Sequence, residues 1–143
     1  MNAIEIARLF LFVREHGGQN CGVWVNTIQK VTGNGDGDSW CASFVSLVMG
    51  LVFAGASPLP RSASTGEILT AAKAKGWVTD TPNVGDLFFY VHDDGTPHHV
   101  GFVTQVDPLE GIAGNTSADG TSNNGDRVAE HAITATVFVA YPR

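Results

Sequence analysis

An α+β domain is the fold class predicted by three features of this chain. Residues 1–76 carry apolar side chains at helical spacing, whereas residues 77–143 break into short runs rich in Val, Phe and Tyr. The connections between those runs are too short for parallel crossovers, so the strands must pair antiparallel. Helices first and an antiparallel sheet second describe a single domain over residues 1–143, with no internal repeat.

The elements follow in order. Ile4, Ala7, Leu9, Phe10 and Val13 predict a first helix running to the Gly17-Gly18 pair. A second is expected over Gly22–Val31. TGNGDGDS is too glycine-rich for a helix and reads as a loop. A third helix, Trp40–Phe53, is apolar nearly all round and should be central and buried. Pro58 and Pro60 mark a loop, and a fourth helix covers Ser64–Lys75, closed by Gly76. Trp77 opens the sheet half. Strands are then predicted at Leu87–Val91, His98–Val106, Glu110–Gly114, Arg127–Ile133 and Ala135–Tyr141. Phe88, Phe89 and Tyr90 divide between the two faces of their strand. NTSADGTSNNGD is a polar loop that forms either a groove rim or a hairpin tip.

Composition narrows the function. Eight Lys+Arg against 14 Asp+Glu give a net charge of −6, with no basic run. That balance speaks against nucleic acid and against anionic membranes. No apolar stretch reaches the roughly 20 residues of a membrane span. The first residues, MNAIEIARLFLFVREHGG, lack the pattern of a signal peptide. The protein is therefore expected to be made in a bacterial cytoplasm without one. In that compartment Cys21 and Cys41 are expected to stay reduced.

Cys41 bears the chemistry. With Asp38 or Ser39 as cap, it falls in the first turn of the third helix, where backbone N–H groups and the helix dipole favour a thiolate. The bland alternative is a small buried hydrophobe. A thiolate needs a base, and His98 and His99 open a strand. Alternation sends them to opposite faces, so one of them should face the helix layer, the Cys–His arrangement of thiol hydrolases. His16, His92 and His131 read as surface residues. Trp40, beside the nucleophile, either lines the substrate groove or packs the helix end against the sheet. With His98 it is the candidate for substrate contact. Asn34, Asp36 and Asp38 place oxygen side chains at alternate positions, like the first half of a calcium loop. The loop is thus a candidate calcium site, the competing reading being a polar turn. No Cys/His spacing suits zinc.

GDSWCASFV, VGDLFFYV, HHVGFVTQV and GIAGNTS, in this order and spacing, resemble the CHAP domains (cysteine- and histidine-dependent amidohydrolase/peptidase), relatives of the NlpC/P60 enzymes. REHGGQNCGVWV is similar to the segment that opens such modules. The resemblance covers nearly the whole chain. It implies a papain-like fold, with N-terminal helices on a five- to six-stranded antiparallel sheet. It implies amide-bond cleavage in peptidoglycan, at the bond joining sugar to stem peptide (N-acetylmuramoyl-L-alanine amidase) or within the stem peptide. Carried over by position, the nucleophile is Cys41, the base His99 and the residue orienting the imidazole Asn115. Many relatives carry a glutamate two residues before that asparagine. Here Ala113 stands there, leaving Cys-His-Asn. No cofactor is required by this chemistry, and some CHAP domains are similar in binding calcium before the cysteine.

The setting implied is a phage endolysin released through a holin, or a hydrolase carried on a virion. An interbacterial amidase toxin is the second setting. A non-catalytic structural or wall-binding component of a phage tail, retaining the fold, is the reading from a different class. A thiol enzyme acting on small amides is the weakest.

Overall fold

The computed structural model describes residues 1–143. Four helices precede a six-stranded antiparallel sheet: α1 (Ala3–Arg8), α2 (Val23–Lys30), α3 (Cys41–Val52), α4 (Thr65–Ala74), β1 (Val78–Thr79), β2 (Leu87–Val91), β3 (Pro97–Gln105), β4 (Glu110–Thr116), β5 (Arg127–Ala132) and β6 (Val137–Val139). The strand order is β1-β6-β2-β3-β4-β5. This is the predicted α+β architecture and matches a papain-like fold. No helix is long and apolar enough to cross a membrane.

The apolar helix α3 is the centre of the domain. Phe44, Val45, Val48 and Met49 are buried and pack on β3 and β4, with Ile4, Ala7 and Val25 closing the layer from α1 and α2. The sheet contributes Leu87, Phe89, Val100, Phe102 and Ile112 to this face. Its other face holds a second, smaller core of Phe88, Val103, Ala113, Ile133, Ala135 and Phe138. Period-two alternation explains the division: Leu87 and Phe89 point to the helices and Phe88 points away. Two buried faces account for the near-continuous apolar character of β2 and β3.

Three boundaries depart from the sequence reading. α1 stops at Arg8 rather than near Gly17. The following segment leaves the helix because Arg14 bridges to Arg127 and the Glu15 N–H donates to Asp126 O at 2.8 Å, drawing it alongside β5. The third helix has no side-chain cap. Trp40 is its N-cap residue, and the Asp38 carboxylate instead accepts from the Gly35 N–H at 3.0 Å. β4 continues to Thr116, so Asn115 lies within the strand rather than after it. Where the sequence does carry a cap signal, it operates. The Asn2 and Glu5 capping box opens α1, the Ser64 hydroxyl accepts from Glu67 N–H at the start of α4, and Gly76 sits at φ +72° just beyond its end.

Candidate active site

β3 and β4 part company at the start of α3. Their ladder pairs Val103 with Gly111 and Phe102 with Ile112, and no pair continues it toward Asn115. Val103 exchanges backbone hydrogen bonds with the Gly85–Asp86 side of β3. By alternation, the Val100 N–H therefore points the other way, into the gap beside β4. Cys41, the first residue of α3, brings its thiol to that gap. The backbone N–H groups of Val100, Ala42 and Cys41 favour its ionised form.

The α3 end is seated by close packing. Gly114 passes directly beneath it: a Cβ there would stand 2.8 Å from Trp40 Cζ3 and 2.9 Å from Phe44 Cβ. Asn115 follows with φ +56°, a left-handed conformation that asparagine tolerates better than most residues. It lies in the irregularity between Ala113 and Thr116 that breaks the β4–β5 register.

His99 is fully buried. Its ring lies 5.9 Å from that of Tyr90 and 6.1 Å from that of Phe88, so it belongs to the sheet face turned away from α3. The expectation of a histidine facing the helix layer is thus corrected: Val100 and Phe102 take that face. The sulfur and the imidazole approach the gap from opposite faces of the sheet. Strict alternation also fails between His98 and His99. Tyr90 pairs with His99 but Val91 pairs with Pro97, which makes His98 the extra residue of a β-bulge. Both imidazoles consequently lie alongside Tyr90. His98 is exposed and stacks on His92, with ring centroids 4.3 Å apart.

The site's polar atoms are unsatisfied. Both ring nitrogens of His99 and both amide atoms of Asn115 are buried without a hydrogen-bond partner, so no hydrogen bond joins His99 to Cys41 or to Asn115. Each such atom costs about 1–3 kcal/mol, which a fold tolerates where function requires it.

Burial also sets the protonation states. It pushes the Cys41 thiol up to about 11, outweighing the N–H groups of Val100, Ala42 and Cys41, which pull down. The expected thiolate is therefore not the resting form. The helix terminus acts in the predicted direction, but desolvation is larger. Burial likewise holds His99 down to about 3, aided by His131 and His98. The resting pair is a neutral thiol and a neutral imidazole.

Other expected site residues have different places. Trp40 is fully buried, and its Nε1 donates to Glu15 Oε2 at 2.9 Å, so it seats the helix rather than lining a groove. Asp36 accepts from the Asn26 amide and Asp38 from Gly35 N–H. No three His, Cys, Asp or Glu side chains converge to hold a metal ion. In the Asn34–Asp38 loop one oxygen of each carboxylate is engaged, Asp36 with the Asn26 amide and Asp38 with the Gly35 N–H. Both cysteines are free. His131, read as a surface residue, is buried, with Nε2 3.0 Å from Thr116 Oγ1 and Nδ1 2.9 Å from Ala132 O. Its signal in the sequence was the alternation Ala129, His131, Ile133, which shares a face with the second core.

Four helices packed on a six-stranded antiparallel sheet, with a cysteine opening the central helix, are the papain-like fold. The CHAP domain family matches residues 31–116, more than half of the chain, and the protein belongs to that family of peptidoglycan amidases and peptidases. Comparison with curated proteins and with solved structures returns no match.

Proposed function

We propose that the protein hydrolyses an amide bond of bacterial peptidoglycan through a cysteine acyl-enzyme, with Cys41 as nucleophile, His99 as base and Asn115 as the residue that orients the imidazole. The reading is supported by the family match, together with the burial of the proposed site. Cys41 opens α3 with its thiol buried, and the His99 imidazole and the Asn115 amide are buried with every polar atom unpaired. A core without chemistry to perform would fill such positions with apolar side chains.

Neutral His99 is already the proton-accepting form. Entry of a substrate amide brings polar groups to the gap. His99 takes the thiol proton as sulfur attacks the carbonyl carbon, and the Cys41 backbone N–H faces the oxyanion. The imidazolium returns its proton to the leaving amine, and water then releases the acyl group with His99 again as base. Asn115 accepts from the imidazole N–H and fixes the tautomer without adding a charge.

The bond is either the one joining sugar to stem peptide or one within the peptide. Incubation with purified sacculi, followed by mass spectrometry of the released muropeptides, tests this. New amino termini at one defined position, absent with Cys41→Ala, support the reading; intact sacculi argue against it. The lysis setting belongs to the same proposal and is tested by co-expression with a holin. Lysis only in the holin arm supports it, and lysis in neither arm counts against it. A second reading, a phage-tail component that kept the fold without the activity, is favoured by one feature: His99 is sealed on the far face of the sheet with no bond to the thiol.

A further inference from the structure

We infer that Glu15, in the segment REHGGQNCGVWV that precedes the four motif blocks, is a positioning residue that sets the place of the nucleophile through Trp40; this rests on the reading of Cys41 as nucleophile. Trp40 immediately precedes Cys41 and is the N-cap residue of α3, yet no side chain caps the helix. The start of α3 is located instead by the indole. Its ring lies on Gly114 of β4, next to Asn115, and its polar edge is held by Glu15 Oε2 at 2.9 Å. Ring packing alone leaves an aromatic side chain free to slide over a glycine. A charge-assisted hydrogen bond at one edge fixes its rotation and depth.

Glu15 is itself anchored. Its N–H donates to Asp126 O at 2.8 Å, and its neighbour Arg14 bridges to Arg127 at the start of β5. The chain of contacts runs from the β5 edge through Glu15 and Trp40 to Cys41, and from Trp40 across Gly114 to Asn115. It joins two of the three elements that carry the proposed catalytic residues, α3 and β4. Glu15 touches neither substrate nor sulfur, so its role is geometric.

The test uses the full chain with Glu15→Ala, Glu15→Gln, Trp40→Phe and the Glu15→Ala/Trp40→Phe double variant. Two readouts are taken: kcat and KM on sacculi, and the iodoacetamide alkylation rate of Cys41, resolved from Cys21 by peptide mapping. Glu15→Ala is expected to lower kcat about tenfold with KM little changed, the cost of a small misplacement of a reacting group. The same variant should raise Cys41 alkylation severalfold, because the freed helix end uncovers the thiol. Glu15→Gln keeps an oxygen acceptor and should stay near wild type on both. Trp40→Phe should match Glu15→Ala, and the double variant should be no worse than either. Unchanged kcat and unchanged alkylation in Glu15→Ala, with only a lower Tm, overturn the inference. Alkylation needs no substrate. If sacculi are never cut, a raised rate still supports the positioning role while the hydrolase reading fails, and an unchanged rate rejects the role.

Discussion

Gly114 runs beneath Trp40 so closely that a methyl group there would stand 2.8 Å from the indole. The backbone of β4 and the first turn of α3 are in contact at this point, which puts Asn115 and Cys41 on either side of it. Gly114→Ala forces one of them to move. Overpacking of this type costs about 1–3 kcal/mol. We expect a lower urea midpoint, and a larger proportional loss of hydrolysis than of stability.

Acid should destabilise the fold through His99. Burial sets its folded value at about 3, below the 6.5 of the free side chain. Between those values the unfolded chain binds the extra proton, so stability is fully present above about 6.5 and drains away as pH falls toward 3. Denaturation by urea across that window checks the sign. His99→Gln should flatten the slope, and an equally steep slope in that variant would assign it elsewhere.

The thiol gives a complementary expectation at high pH. Cys41 is held up to about 11, above its ordinary 9.0, so its contribution is fully present below 9 and is lost as pH rises through 11. In the absence of substrate, Cys41 should react with iodoacetamide more slowly than the partly exposed Cys21, since the thiolate is the reactive form. Rapid alkylation of Cys41 near neutral pH would show that the thiol is ionised at rest.

The C-terminal residue clamps the sheet. Asp86 is buried, accepting from Arg143 Nη2 at 2.8 Å through one oxygen and from Asn83 N–H at 2.8 Å through the other. Arg143→Ala leaves one buried carboxylate oxygen without its cation and should cost about 1–3 kcal/mol in chemical denaturation. Arg8→Ala removes the Arg8–Glu130 bridge, of which both partners are partly solvated, and should cost no more than about 1 kcal/mol.

Calcium should be dispensable. One oxygen of Asp36 accepts from Asn26 of α2 and one of Asp38 from the Gly35 N–H, and no group of three His, Cys, Asp or Glu side chains forms there. Activity and Tm are expected to survive exhaustive chelation. Loss of either on chelation, restored by calcium alone, would put an ion at Asn34–Asp38.

The fold class was legible because its signals are local. Helical spacing in residues 41–52, tight turns between strands and the closing glycine at Gly76 all act within a few positions. What misled were long-range interactions. The segment after Arg8 has helical periodicity but is taken by β5 through Arg14 and Glu15. The bulge at His98 cancels the alternation that would have separated the two histidines by face. A helix N-terminus does favour a thiolate, but its pull cannot be weighed against burial until the layer above Cys41 is known. His131 was misplaced for the same reason, since its partner Thr116 is remote in sequence, and the choice between the two readings of Trp40 turned on Glu15 and Gly114, which are remote as well.

The most direct measurement is the turbidity of a peptidoglycan suspension with wild-type protein and with Cys41→Ala, both shown to be folded by circular dichroism. Clearing by the wild type and none by Cys41→Ala is the predicted result. Equal clearing by the two proteins would contradict the assignment of Cys41 as nucleophile.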